Sequence, residues 1–194
     1  MAIIGEVIKG GIQLLGNFQK KKNHTENQAQ VLEKLLRTAQ YTAFGRNFNF
    51  EKILQQKDVA LEFKQKVPFY DYDKINTEWW HRVQEGKSNI TWIGEPDYFA
   101  LSSGTTGKES KRIPITKDML ESIRNAGLKQ VMSLKNFDLP ADFFQKDILM
   151  LGSSTDLEQR KDGKLEGEIS GISASNIPFW FQSFYKPGKA IAQI

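Results

Sequence analysis

Ser102-Ser103-Gly104-Thr105-Thr106-Gly107-Lys108-Glu109-Ser110-Lys111 gathers hydroxyls, glycines and cations into one short stretch between two apolar segments. Before it, Tyr98-Phe99-Ala100-Leu101 predicts a buried strand; after it, Arg112-Ile113-Pro114-Ile115-Thr116 predicts a second short extended run leading into a helix. The stretch is therefore read as a loop between strands. Gly104 and Gly107 can take backbone angles closed to other residues, so main-chain N–H groups there can approach an anion with no Cβ in the way. The serine and threonine hydroxyls can donate to phosphate oxygens, and Lys108 and Lys111 offset the charge gathered at the leaving end of a triphosphate. Plain turn formation is the structural alternative for such residues. A Walker A loop needs four residues between its glycines and a Ser or Thr directly after the lysine. Here only Thr105 and Thr106 separate the glycines and Glu109 follows Lys108, so the spacing argues against a P-loop NTPase.

The rest of the chain bounds the alternatives. With 194 residues, 39% of them hydrophobic, it can form one domain with a core, or one domain plus an appended helical segment. It has no cysteine, and its two histidines, His24 and His81, are isolated, which excludes a disulfide framework and a Cys/His zinc site; no metal site is expected. An intracellular, cytoplasmic location fits. The net charge of +4 is mild and no basic block is interleaved with aromatics, so nucleic acid is not an expected partner.

At the N-terminus, Ile3, Ile4, Val7, Ile8, Ile12, Leu14, Leu15 and Phe18 recur at roughly helical spacing, followed by Lys20-Lys21-Lys22. A signal peptide would carry its positive charge before the apolar region rather than after it. The first reading is a helix docked on the domain, with the lysines at the favourable end of its dipole. The second is a reversible membrane-surface helix.

Thr25 and Asn27 offer caps for a helix over 28–41, with Gly45 as its terminating glycine. Short helices are expected over 51–54 and over 58–66, the second capped by Asp58 and stopped by Pro68. Asp71 or Asp73 caps a further helix through Ile75, Trp79, Trp80 and Val83 to Gly86. The tryptophans and His81 there are read as packing residues, since no thiol, serine motif or metal partner accompanies the histidine. The run 88–92 is β-prone. Beyond the loop, Thr116 caps a long helix to about Lys135, Asp147-Ile148-Leu149-Met150-Leu151-Gly152 reads as a buried strand, and Lys161-Asp162-Gly163-Lys164 marks a hairpin turn. The expected fold is α/β: mainly helical over 1–90, then a mixed sheet with helices and the phosphate loop over 91–194.

The loop from Ser102 through Gly107, with a lysine following, resembles the first ATP motif of the adenylate-forming enzymes. The late position of Lys111, with Pro114 three residues on, is similar to the auxin-responsive acyl acid–amido synthetase family, in its bacterial branch. Residues 36–42, Phe44-Gly45-Arg46, Val67-Pro68 with Tyr72, Tyr98-Phe99-Ala100, Gly167-Glu168-Ile169-Ser170-Gly171-Ile172 and Ile177-Pro178 agree. The resemblance covers nearly the whole chain.

It implies a ligase that uses ATP and Mg²⁺ to adenylate a small carboxylic acid and then passes the acyl group to an amine such as an amino acid. Carried over, Ser102, Ser103, Gly104, Thr105, Thr106 and Gly107 match the phosphate-gripping loop and Lys111 matches the family's catalytic lysine, whereas Lys108 is a weaker match. Ile123, Gly127, Val131 and Met150 are expected to line the acid's site, with core packing as the alternative. The resemblance also implies that this is the first part of the large adenylating domain. The later adenine, acyl and ribose motifs and the C-terminal domain are then expected beyond residue 194, leaving the chain by itself unable to complete adenylation. The alternative reading is a non-catalytic binding or scaffolding module that keeps the ligase framework.

Overall fold

Asn23, Thr42, Asp58, Asp71 and Thr116 each place a side-chain oxygen where it accepts a backbone N–H in the first turn of a helix. Those first-turn N–H groups have no partner within the helix, so each cap both starts a helix and fixes its entry point. The structure, a computed structural model, describes residues 2–17, 23–102, 110–150, 152–179 and 182–186. It divides into two compact units, one of residues 22–97 with 111–114, the other of 1–21, 98–110 and 115–194.

The first of these is helical. It holds α2 (His24–Ala39), α3 (Ala43–Asn47), α4 (Phe50–Leu54), α5 (Val59–Lys66), α6 (Tyr72–Ile75), a π turn (Asn76–Trp80) and α7 (His81–Gln84). Leu36, Ala39, Phe50 and Ile53 form its buried core, flanked by Leu32, Phe44, Phe48, Phe63, Val67 and Trp92. Each large apolar side chain taken out of water there contributes about 1.5–3 kcal/mol before entropy is counted. The cap of α2 is Asn23, so the helix starts earlier than Thr25 or Asn27 would place it. Gly45 does not end that helix. It lies buried inside α3, where its N–H donates to Thr42 Oγ1 at 3.0 Å.

The β-prone run at 88–92 forms no strand, and the reason lies in α3. The N–H groups of Ala43 and Phe44 donate to the carbonyls of Asn89 (2.8 Å) and Ile90 (2.9 Å). Asn89, at φ 55°, closes the segment on itself: its N–H donates to the Gly94 carbonyl at 2.8 Å and its side-chain oxygen accepts the Gly94 N–H at 2.8 Å. Carbonyls that a strand would offer to a neighbour serve a helix start instead.

The other unit carries the sheet. β1 (Tyr98–Leu101) runs parallel to β5 (Leu165–Glu168), with Tyr98 opposite Leu165 and Leu101 opposite Glu168. β4 (Glu158–Gln159) pairs antiparallel with β5, closed by a turn in which Gly163 stands at φ +81° and the Arg160 N–H donates to the Lys164 carbonyl at 2.8 Å. The expected hairpin is there. Phe99 is 1% exposed, and the Arg160 guanidinium covers its ring at 4.5 Å while reaching Glu166 at 3.2 Å. β2 (Arg112–Ile115), whose residues 112–114 belong to the helical unit, is followed in sequence by α8 (Lys117–Met132), which passes into a 3₁₀ turn at Ser133–Asn136. A second 3₁₀ turn, Ala141–Gln145, precedes β3 (Ile148–Leu149), which pairs in parallel with β6 (Tyr185–Lys186). Here the sequence misleads: the apolar run at 147–152 yields a two-residue strand whose Leu149 is 69% exposed. After β5, α9 (Ile169–Ser175) buries Ile172 and brings Gly171 against the Ser154 carbonyl, where a Cβ would overlap the oxygen.

α1 (Ala2–Asn17) docks as a helix, but not through its apolar stripe. Gly5 lies against the Ala141 backbone with no room for a Cβ, and Lys9 Nζ donates to the Leu139 carbonyl at 2.7 Å. Ile8 and Ile12 are half-buried, while Ile3, Ile4, Val7, Leu14 and Leu15 are exposed. Lys20-Lys21-Lys22 lie outside the described residues.

Candidate functional site

Parallel pairing of β1 and β5 brings the carboxyl ends of both strands to the same edge of the sheet. Open α/β sheets bind their ligands at that edge. Ser102, half-buried, follows β1 directly. Ser103, Gly104, Thr105, Thr106, Gly107 and Lys108 lie outside the described residues. At the carboxyl end of β5, Ser153 Oγ contacts the Glu168 carboxylate and lies 2.7 Å from Ser170 Oγ, and the Ser153 N–H donates to Ser170 at 3.0 Å. This cluster offers two hydroxyls and a carboxylate at the edge from which the loop leaves. Reading the sequence did not single it out, although Glu168 and Ser170 stand in the Gly167–Ile172 stretch.

Lys111 is exposed, and its Nζ sits 4.9 Å from the centroid of the Tyr72 ring. The same tyrosine accepts the Arg112 N–H on its hydroxyl at 2.9 Å, and its ring meets Trp80 edge-on at 6.2 Å. Among the described residues no carboxylate pairs with Lys111. The sequence named Tyr72 only as part of a resemblance; what it missed is the contact with Lys111.

A second tyrosine, two residues earlier, has a different setting. Tyr70 donates to Glu78 at 2.8 Å, accepts the Trp79 indole N–H at 3.1 Å and carries Lys74 over its ring at 4.8 Å. Burial raises the pKa of its phenol above the usual value, and Glu78 adds to the rise against the lowering effect of the Trp79 bond. Trp79 is buried against Phe44, as the packing reading expects, whereas His81 is exposed. A hollow of about 550 Å³ opens beside these rings, lined by Leu32, Leu36, Phe44, Phe63 and Trp92 among others. Its walls belong to the unit's own core, and none of the sequence-predicted site residues lines it.

Ile123, Gly127 and Val131 share one face of α8, spaced four residues apart. Ile123 and Gly127 are exposed and Val131 is half-buried. Met150 is on a different element, just after β3, where its N–H donates to the Lys186 carbonyl at 2.9 Å. Among the described residues no group of three or more His, Asp or Glu gathers as a metal site, and no helix is long and apolar enough to cross a membrane.

The family model described as the GH3 family N-terminal domain matches residues 15–193. The chain belongs to the GH3 family. Two solved structures resemble this GH3 chain. One is titled "GH3.15 acyl acid amido synthetase", with a TM-score of 0.70 at 21% identity, covering 95% of this chain and 31% of that one. The other, "AtGH3.15 acyl acid amido synthetase in complex with 2,4-DB", has a TM-score of 0.66 at 20% identity and covers 93% of this chain and 30% of that one. At such identity the likeness shows the fold, and the GH3 chain spans about a third of their length. No curated protein matches the sequence. The helical beginning and the mixed sheet with helices are those of a GH3 N-terminal domain.

Proposed function

We propose that this GH3 chain is the ATP-gripping part of a cytoplasmic acid-amido ligase, one that joins a small carboxylic acid to an amine such as an amino acid. The observation that carries the reading is that Ser102, the first hydroxyl of the hydroxyl- and glycine-rich run, directly follows β1 at the carboxyl edge that β1 shares with its parallel partner β5. Membership of the GH3 family, and the acyl acid amido synthetases among the similar structures, support it.

In the first step an oxygen of the acid's carboxylate attacks the α-phosphorus of ATP. An acyl–phosphate bond forms as the bond between the α-phosphorus and the bridging oxygen breaks, and pyrophosphate leaves with the electron pair. The amine nitrogen then attacks the activated acyl carbon, AMP departs and the amine gives up a proton. The residues' part is electrostatic. Hydroxyls of Ser102, Ser103, Thr105 and Thr106, with backbone N–H groups at Gly104 and Gly107, hold the phosphates, and Lys111 takes up charge developing on the departing pyrophosphate. Its exposure and its lack of a carboxylate partner among the described residues suit that task. Mg²⁺ accompanying the nucleotide would supply further neutralisation of its charge. Ile123, Gly127, Val131 and Met150 line the acid's site.

Calorimetric titration with Mg·ATP tests the reading. Replacing Lys111 with Ala removes a charge-assisted contact, so affinity is expected to fall roughly tenfold, near the lower end for such bonds. The melting temperature should hold, because an exposed lysine carries little packing. Equal binding by wild type and Lys111→Ala would overturn the proposal. Carboxylate-dependent pyrophosphate release by the chain alone would overturn the narrower expectation that it does not complete adenylation.

A further inference from the structure

Lys111 and Arg112 are tied to Tyr72 in two independent ways, one through the side chain and one through the backbone. The Lys111 ammonium lies 4.9 Å from the ring centroid, and the Arg112 N–H donates to the phenolic oxygen at 2.9 Å. Tyr72 is itself fixed. It is the first residue of α6, whose start is capped by Asp71 accepting the Lys74 N–H at 2.8 Å, and its ring packs edge-on against Trp80. Trp80 closes the π turn at Asn76–Trp80, next to Trp79, which is buried in the same unit's aromatic cluster. The π-helical turn is a rare local geometry that recurs at functional sites. A lysine side chain free in solvent samples many rotamers, and a cation held against an aromatic face samples fewer.

We propose that Tyr72 is a positioning residue: its ring holds the Lys111 ammonium ready for phosphate, and its hydroxyl pins the backbone where the loop passes into β2. This rests on Lys111 meeting the nucleotide, and it adds a residue outside the loop that sets how well the lysine does so. The two contacts separate by substitution. Tyr72→Phe keeps the ring and loses the hydroxyl's bond to Arg112, whereas Tyr72→Leu loses both. Tyr72 is partly exposed, so neither change empties a buried core site.

Two measurements on the full chain test the proposal. Reductive ¹³C-dimethylation of lysines keeps their charge, and the Lys111 signal, assigned by its absence in Lys111→Arg, is expected to carry an upfield ring-current shift. Tyr72→Phe should retain that shift and Tyr72→Leu should lose it. In titrations with Mg·ATP, Tyr72→Leu is expected to weaken binding roughly three- to tenfold and Tyr72→Phe less than threefold, in keeping with a cation–π contact and one hydrogen bond. A shift that survives Tyr72→Leu would overturn the positioning role, as would Mg·ATP affinity equal in Tyr72→Leu and wild type while Lys111→Ala weakens it. Binding that is absent from wild type, or unchanged in Lys111→Ala, would instead remove the phosphate role on which the proposal stands, even with the shift intact.

Discussion

Thr42 is 0% exposed and its hydroxyl works twice. It donates to the Ala39 carbonyl at 2.7 Å and accepts the Gly45 N–H at 3.0 Å, joining the end of α2 to the start of α3. Thr42→Val keeps the side chain's volume and removes both bonds. The Gly45 N–H is then buried without a partner, at about 1–3 kcal/mol. The Ala39 carbonyl keeps the Thr42 N–H at 3.0 Å, so its loss is smaller, about 0.5–1 kcal/mol. The expected destabilisation is about 1.5–4 kcal/mol. Thr42→Ser keeps the hydroxyl and deletes one buried methyl, which costs roughly 1 kcal/mol. Urea unfolding followed by tryptophan fluorescence provides the assay, since Trp79, Trp80 and Trp92 lie in the same unit as Thr42. Thr42→Val should lower the midpoint further than Thr42→Ser at similar slope. A larger loss in Thr42→Ser would refute the reasoning, because it would place the methyl rather than the hydroxyl at the centre of this corner.

Gly171→Ala should destabilise by about 1–3 kcal/mol or more, because the new Cβ meets the Ser154 carbonyl, which is backbone and cannot swing away; a thermal melt within error of wild type would contradict it. Tyr70 binds its proton more tightly folded than unfolded, so its stabilising contribution is complete below the unfolded pKa near 10 and is lost as pH rises through the higher folded value. Tyr70→Phe should therefore flatten the fall in stability across the alkaline range, as read by melting temperature at successive pH values; an unchanged slope would mean that another group controls it. Lys111→Arg keeps the charge at the end of a longer, forked side chain, and is expected to retain more Mg·ATP affinity than Lys111→Ala; equal losses in a calorimetric comparison would assign the effect to ammonium geometry rather than charge.

Local chemistry was the most legible part of this sequence. Asp58 and Thr116 cap the helices they were expected to cap, Asp71 is the better of two candidates, and the turn at Gly163 stands where its residues place it. Such features are decided within a few residues and leave a local mark. What was not legible depends on distant partners. The run at 88–92 has strand composition, yet its carbonyls are used by α3, more than forty residues earlier in sequence. The apolar 147–152 run has the composition of a buried strand, but exposure is set by what packs on it, and composition does not record that. α1 shows the same limit, since Gly5 makes the close approach while Ile3, Ile4, Val7, Leu14 and Leu15 are exposed. At the candidate site the hydroxyls, glycines and lysines of the 102–111 stretch suggest a phosphate loop by residue type alone, and most of that stretch lies outside the described residues. Tyr72 could not be picked out in that way, since only the fold brings it to Lys111.

The parallel pairing of β1 with β5 has a kinetic consequence. The β4–β5 hairpin closes over a short turn and can form in microseconds, whereas Tyr98 can meet Leu165 only after the whole intervening chain has been drawn together. Closing so long a segment costs entropy before any contact repays it, which makes this contact of high sequence separation a late event in folding. β1 is also the strand from which the 102–111 stretch departs. The proposed nucleotide grip would therefore gain its anchor near the end of folding, and on that proposal ATP added to a refolding chain should find a partner only after most of the hairpin and helix signal has already appeared.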